Sequence, residues 1–147
     1  MKNNGNVPPA DDICKELIER AMEARERAYA PYSNFLVGAA LLAAEGEIYT
    51  GCNIENASYT PTNCGERTAF FKAVSRGERQ FQAIAIVGGR ASEPIDSFCP
   101  PCGVCRQVMM EFCQPKSFWI ILAKSKEEYR IFSLEELLPL GFGPENL

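Results

Sequence analysis

Histidine is missing from all 147 residues, which removes the Ser-His-Asp and Cys-His nucleophile arrangements and every metal site that uses an imidazole. Chemistry here must run on Cys, Asp, Glu, Lys or Tyr. No apolar run approaches the ~20 residues that a membrane span needs. Phe118 to Ala123 and the stretch from Phe35 to Ala44 are among the longest. An excess of basic charge is also lacking: 15 Lys and Arg face 19 Asp and Glu, for a net charge of −4, and no Lys/Arg block stands out. That balance argues against duplex nucleic acid as a partner. The opening MKNNGNVPPA carries no apolar core after Lys2, so it reads as neither a secretory signal nor a transit peptide and predicts a cytoplasmic protein. An even cysteine count is absent too. Seven cysteines in a chain of that kind argue against a disulfide framework and for metal-binding or catalytic thiols.

What is present is ordinary globular material, 46% hydrophobic and 23% charged, in a length that suits one domain with its own core. Residues 1–10 read as a flexible N-terminal tail and 11–147 as a single catalytic domain. Ile13, Leu17, Ala21, Ala24 and Ala28 recur at three- and four-residue steps and predict an amphipathic helix over 11–28. Residues 35–44 and 47–52 predict a hairpin turning at Gly46. A polar loop follows over 53–63, then a helix over 64–76 closed by Gly77. A strand over 81–87 ends at Gly88-Gly89, a helix opens at Cys102 and runs to Phe112, and strands follow over 117–123 and 129–132. Ser133-Leu-Glu-Glu136 is a capping box for a last short helix. The order α-β-β-α-β-α-β-β-α predicts an α/β fold, a three-layer α/β/α sandwich around a mixed five-stranded sheet.

Two motifs carry chemistry: Cys64-Gly65-Glu66 at the start of one predicted helix and Pro101-Cys102-Gly103-Val104-Cys105 at the start of another. A Cys-x-x-Cys at a helix start can offer two thiolates to one metal, with the free N–H groups of the first turn stabilising their charge. Cys64 would supply a third. Zinc with three protein ligands keeps its fourth position for water, whose pKa it lowers toward ~7. Glu66 is then placed to move protons. Spacing leaves the ligand set open, because Cys99-Pro-Pro-Cys102 overlaps Cys102-Gly-Val-Cys105. All four of Cys64, Cys99, Cys102 and Cys105 could close a structural zinc site, and Cys-Pro-Pro-Cys also has the form of a redox pair. Cys14, Cys52 and Cys113 lack metal spacing and read as small buried residues.

The sequence resembles the small, homotetrameric, zinc-dependent cytidine deaminases of the three-cysteine type. The resemblance rests on Pro31-Tyr-Ser-Asn-Phe-Leu-Val-Gly-Ala-Ala40, Gly51-Cys-Asn-Ile-Glu-Asn-Ala57, Cys64-Gly-Glu-Arg-Thr-Ala69 and Pro101-Cys-Gly-Val-Cys-Arg-Gln107, which together with the Phe142-Gly-Pro-Glu145 ending cover nearly the whole chain. It implies hydrolytic deamination of cytidine and deoxycytidine in pyrimidine salvage. One zinc ion per subunit would sit on Cys64, Cys102 and Cys105, with Cys99 outside the site and Glu66 as the proton shuttle. By the same resemblance Asn53 and Glu55 bind the ribose, Ala57 also contacts substrate, and the backbone at Gly65 bonds the base. Phe35 and Phe142 wall the pyrimidine, Tyr59 and Phe142 reach a neighbouring subunit's pocket, and Arg67 donates hydrogen bonds to the ligand sulfurs. Gly65 departs from the family, which usually carries Ala there. Rival readings are a deaminase of a nucleoside antibiotic such as blasticidin S and a structural zinc-binding module.

Overall fold

A computed structural model describes residues 7–147; residues 1–6 of the predicted tail lie outside the described residues. The elements are α1 (Asp11–Arg25), β1 (Phe35–Ala43), β2 (Ile48–Cys52), α2 (Gly65–Ser75), β3 (Phe81–Arg90), α3 (Gly103–Phe112), β4 (Trp119–Ala123), β5 (Tyr129–Ser133), α4 (Leu134–Leu137) and a short 3-10 turn, Pro144–Asn146. The strands form one sheet in the order β2-β1-β3-β4-β5. Only β3 and β4 are parallel; the other neighbours run antiparallel. The mixed sheet and the element order agree with the sequence reading.

Period-two alternation sorts the central strands onto two faces. Ala39, Leu41, Ile84, Ile86, Ile120 and Leu122 point into a core shared with Ala69, Phe70 and Ala73 of α2 and Cys105 and Met109 of α3. Ala40, Leu42, Ala83, Ala85, Val87, Ile121 and Ala123 face the other way, onto Cys14, Leu17, Ile18 and Ala21 of α1. Both faces are covered, which is why these strands read as continuous apolar runs. Gly46 has φ +102°, as the hairpin turn predicts.

Element ends moved where tertiary bonds decide them. β3 continues through Gly88 and Gly89, which pair with Val37 and Leu36 of β1, so these glycines belong to the strand, which the sequence pattern alone ends at residue 87. α1 closes at Arg25 because Arg27 and Ala28 donate to Ala24 and Arg25, three residues back, in a tighter turn. β4 begins two residues late because the N–H groups of Ser117 and Phe118 both bond back to Gln114. The capping box at the last helix is formed: Ser133 Oγ accepts from Glu136 N, and Glu136 Oε1 accepts from Ser133 N.

Candidate metal and catalytic site

The crossover from β3 to the parallel β4 runs through α3, so the start of α3 lies beyond the C-terminal end of β3, where open α/β sheets place their sites. The start of α2 meets it there. Cys64 is the N-cap of α2 and Cys102 the N-cap of α3, and neither side chain caps its own helix. Both sulfurs are therefore free for another partner while the unpaired N–H groups of each first turn favour negative charge on them. Cys105, one turn into α3, brings a third sulfur. The three Sγ atoms lie within 4.8 Å of one another, with Cys64 to Cys102 at 3.7 Å and Cys102 to Cys105 at 3.5 Å.

That donor set fits zinc. Two thiolates at about 2.3 Å from a tetrahedral zinc ion stand about 3.8 Å apart, close to both spacings. All seven cysteines are free thiols. Cys99 lies outside the three-sulfur group among the described residues. Burial, with the nearby charges of Glu66, Cys64 and Cys102, pushes its thiol up to about 12. The group is a three-sulfur cluster and not the four-thiolate arrangement that closes a structural site.

Around the cluster the electrostatics are lopsided. Arg67 Nη2 donates to Cys64 Sγ at 3.0 Å. Hydrogen bonding from Cys105 and then from Arg67 outweighs burial and draws the Cys64 thiol below its ordinary value, while that Cys64 bond and burial push Cys105 up. Arg67 Nε is buried and has no hydrogen-bond partner. Glu66, in the first turn of α2, is only 4% exposed. Burial, reinforced by the charge of Cys64, raises its carboxyl to about 7, the range suited to giving and taking protons at neutral pH.

The predicted substrate residues divide. Asn53 Oδ1 accepts from Val37 N and its Nδ2 donates to Phe35 O, each at 2.8 Å. Its amide thus clamps the first residues of β1 and keeps one lone pair and one N–H for a ligand. Glu55 Oε1 accepts from the N–H groups of Tyr32 and Ser33 at 2.9 and 3.1 Å. Hydrogen bonds, first from the Ser33 side chain, hold its carboxyl below the ordinary value. The loop bearing both residues is tied down by bridges of Ile54 to Tyr29 and to Asn63. Glu55 and Tyr59 line a cavity of about 370 Å³ with Tyr32, Ser33 and Thr62.

Tyr59 has φ +62°, is 72% exposed and meets the Tyr32 ring edge-on at 6.2 Å. Ala57 is exposed in the same turn. Phe142 is tied through its carbonyl to Gln107 of α3, with its ring 59% exposed. Within one chain it belongs to the α3 surface. Cys14 and Cys113 are buried as expected, whereas Cys52 is only half-buried. Sequence reasoning did not single out Tyr32, Ser33 or Thr62, although the first two lie inside a quoted motif. Arg25 gave no signal at all; it donates to the carbonyls of Leu36, Gly89 and Arg90 and holds the ends of β1 and β3 together.

The family model described as the cytidine and deoxycytidylate deaminase zinc-binding region matches residues 12–121. A cytidine deaminase of Sporosarcina psychrophila is 50% identical over 133 residues, covering 90% of this chain and 93% of the relative. One from Halalkalibacterium halodurans is 49% identical over 131 residues, covering 89% and 95%. Among solved structures, the cytidine deaminase of Burkholderia pseudomallei superposes with a TM-score of 0.78 at 48% identity, over 86% of this chain and 97% of that one. That of Mycobacterium tuberculosis gives 0.73 at 38% identity, over 87% and 95%.

Proposed function

The chain belongs to the cytidine and deoxycytidylate deaminase family, and from that membership we propose that it deaminates cytidine and deoxycytidine hydrolytically. The products are uridine or deoxyuridine and ammonia. The observation that carries the reading is the meeting of three cysteine sulfurs and one buried carboxylate at two helix N-termini. Zinc held by Cys64, Cys102 and Cys105 would supply a Lewis acid that makes an attacking water more acidic.

Glu66 does the proton work. It takes a proton from the attacking water as the C4–O bond forms and passes it to N3, then takes the remaining proton from the C4 hydroxyl and hands it to the amine as the C4–N4 bond breaks and the C4 carbonyl forms. One nucleoside and one water give one deaminated nucleoside and one ammonia. The Gly65 backbone meets the base, Asn53 and Glu55 take the ribose through its 3′ side, and Ala57 completes the sugar loop. Amide and carboxylate groups that a bound sugar covers discriminate because a missing hydroxyl leaves them unpaired. A grip centred on the 3′ hydroxyl admits both sugars. Phe35 walls the pyrimidine by stacking, with Phe142 and Tyr59 delivered from neighbouring subunits of a homotetramer; the outward-facing rings of both support that sharing.

Residues 11–147 act as one catalytic domain, working in the cytoplasm in pyrimidine salvage. The free thiols suit a reducing compartment. Among the described residues, no helix is long and apolar enough to cross a membrane. Ammonia release with the accompanying ultraviolet change tests the substrate. Turnover of cytidine and deoxycytidine, with blasticidin S left intact, is the expected result. Turnover of blasticidin S with cytidine untouched would overturn the reading.

A further inference from the structure

Gly88 lies in extended strand backbone opposite Val37, so its conformation does not call for a glycine; the space over its Cα does. A Cβ built there would stand 2.7 Å from Cys99 Sγ, 2.9 Å from Cys99 Cβ and 3.0 Å from Phe35 Cε1. The thiol side chain and the edge of the aromatic ring fill the volume that any larger residue would need. Three separate segments meet at this point: β3, the loop that leads into α3, and the first residue of β1.

Each of the other two partners is held from its far side. The loop is pinned one residue earlier, where Lys124 Nζ and the Arg130 guanidinium lie 4.8 and 5.2 Å from the centre of the Phe98 ring. The backbone of Phe35 is fixed by Ser33 Oγ, which accepts from Phe35 N at 3.0 Å, and by Asn53 Nδ2 on its carbonyl. With backbone and loop both anchored, the tilt of the Phe35 ring is set by what its edge rests on. The ring is 38% exposed, so it presents surface to a ligand while leaning on this support.

We propose that Gly88 and Cys99 are positioning residues for Phe35: the bare Cα of Gly88 admits the Cys99 side chain, and together they form the shelf that sets how far the Phe35 ring stands into the pyrimidine site. The proposal rests on the reading of Phe35 as the base-stacking wall. It gives Cys99, the candidate ligand left out of the three-sulfur group, a role in substrate grip outside the metal cluster.

The test is a double-mutant cycle on the zinc-loaded enzyme. Gly88→Ala pushes the ring, and KM for cytidine rises at least about fivefold while kcat stays within about twofold, the signature of lost uniform binding. Cys99→Ala lowers the shelf and raises KM about two- to threefold. Combining them relieves the contact with the sulfur, so the double variant falls well below the product of the single effects. Zinc content per chain stays at the parental value throughout, because neither residue holds the metal. If Gly88→Ala does not fold, Cys99→Val takes its place as the change that overfills the shelf. A KM unchanged in the overfilled variant, effects that multiply without coupling, or a kcat loss that follows zinc loss would each overturn the proposal. The same ratios are read in the Kd of uridine by calorimetry, which needs no turnover. A parent that releases no ammonia then counts against the activity, and an unaltered Kd counts against the shelf.

Discussion

Glu66 and Arg67 are consecutive in sequence and solve opposite problems of charge. A carboxylate buried to 4% exposure is raised to about 7 and is held ready to exchange protons. The guanidinium next to it bonds a sulfur at 3.0 Å. Three thiolates on one divalent ion leave a net negative centre that would make a bound water less acidic, and Arg67 is the cation placed to offset it. Partners of this kind typically change metal affinity by about 10- to 100-fold. Arg67→Gln is expected to weaken zinc by about that factor, read by competition with a chromogenic chelator, and an affinity equal to the parent would contradict the role. Residue by residue, the two motifs were legible because thiols and a carboxylate at helix starts have few other uses. The overlap of Cys99 with Cys102 was not, because spacing counts residues and says nothing of direction. Cys102 sits at the N-cap of α3 facing Cys64, whereas Cys99 lies in an extended loop and packs over Gly88.

At the scale of elements, the site depends on how closely α2 approaches the sheet. A Cβ on Gly51 of β2 would come 2.4 Å from the carbonyl oxygen of Gly65 and 2.5 Å from Ala69 N. Both are helix backbone, which cannot swing aside. Gly51→Ala is therefore expected to lift the first turn of α2, which carries Cys64 and Glu66, at a cost of about 1–3 kcal/mol. The check is the urea midpoint together with retained zinc, and a variant with both at parental values would refute the docking argument. Gly65 is milder. A Cβ there would meet the Val37 side chain at 3.2 Å and its carbonyl at 3.3 Å, so an alanine at this position would need its neighbours to give by a few tenths of an ångström.

The order of elements was readable because periods of two and 3.6 are strong local signals. The end of β3 was not, since Gly88-Gly89 has the composition of a turn and is kept in the sheet by its pairing with β1. The clamp that Asn53 puts on Phe35 and Val37 was hidden for the same reason: it joins residues 16 and 18 apart, beyond any local pattern.

For the whole molecule, the α/β architecture and the family were legible from the sequence, and assembly is where one chain falls short. Phe142 is anchored on α3 with its ring facing outward, so it serves a pocket only if a neighbour provides one. A homotetramer of the proposed kind, four chains of 16.3 kDa, would be a particle of about 65 kDa with closed symmetry. Sedimentation should give that mass, and Phe142→Ala should keep its zinc while KM rises about tenfold. A monomer with full activity would remove the shared site.

The most direct measurement of the central claim compares the parent with Glu66→Gln for ammonia release from cytidine after zinc content is matched. The account predicts that the variant retains its metal and loses turnover by at least about a thousandfold, since the group that moves every proton is gone. Full turnover in Glu66→Gln at equal zinc would contradict it.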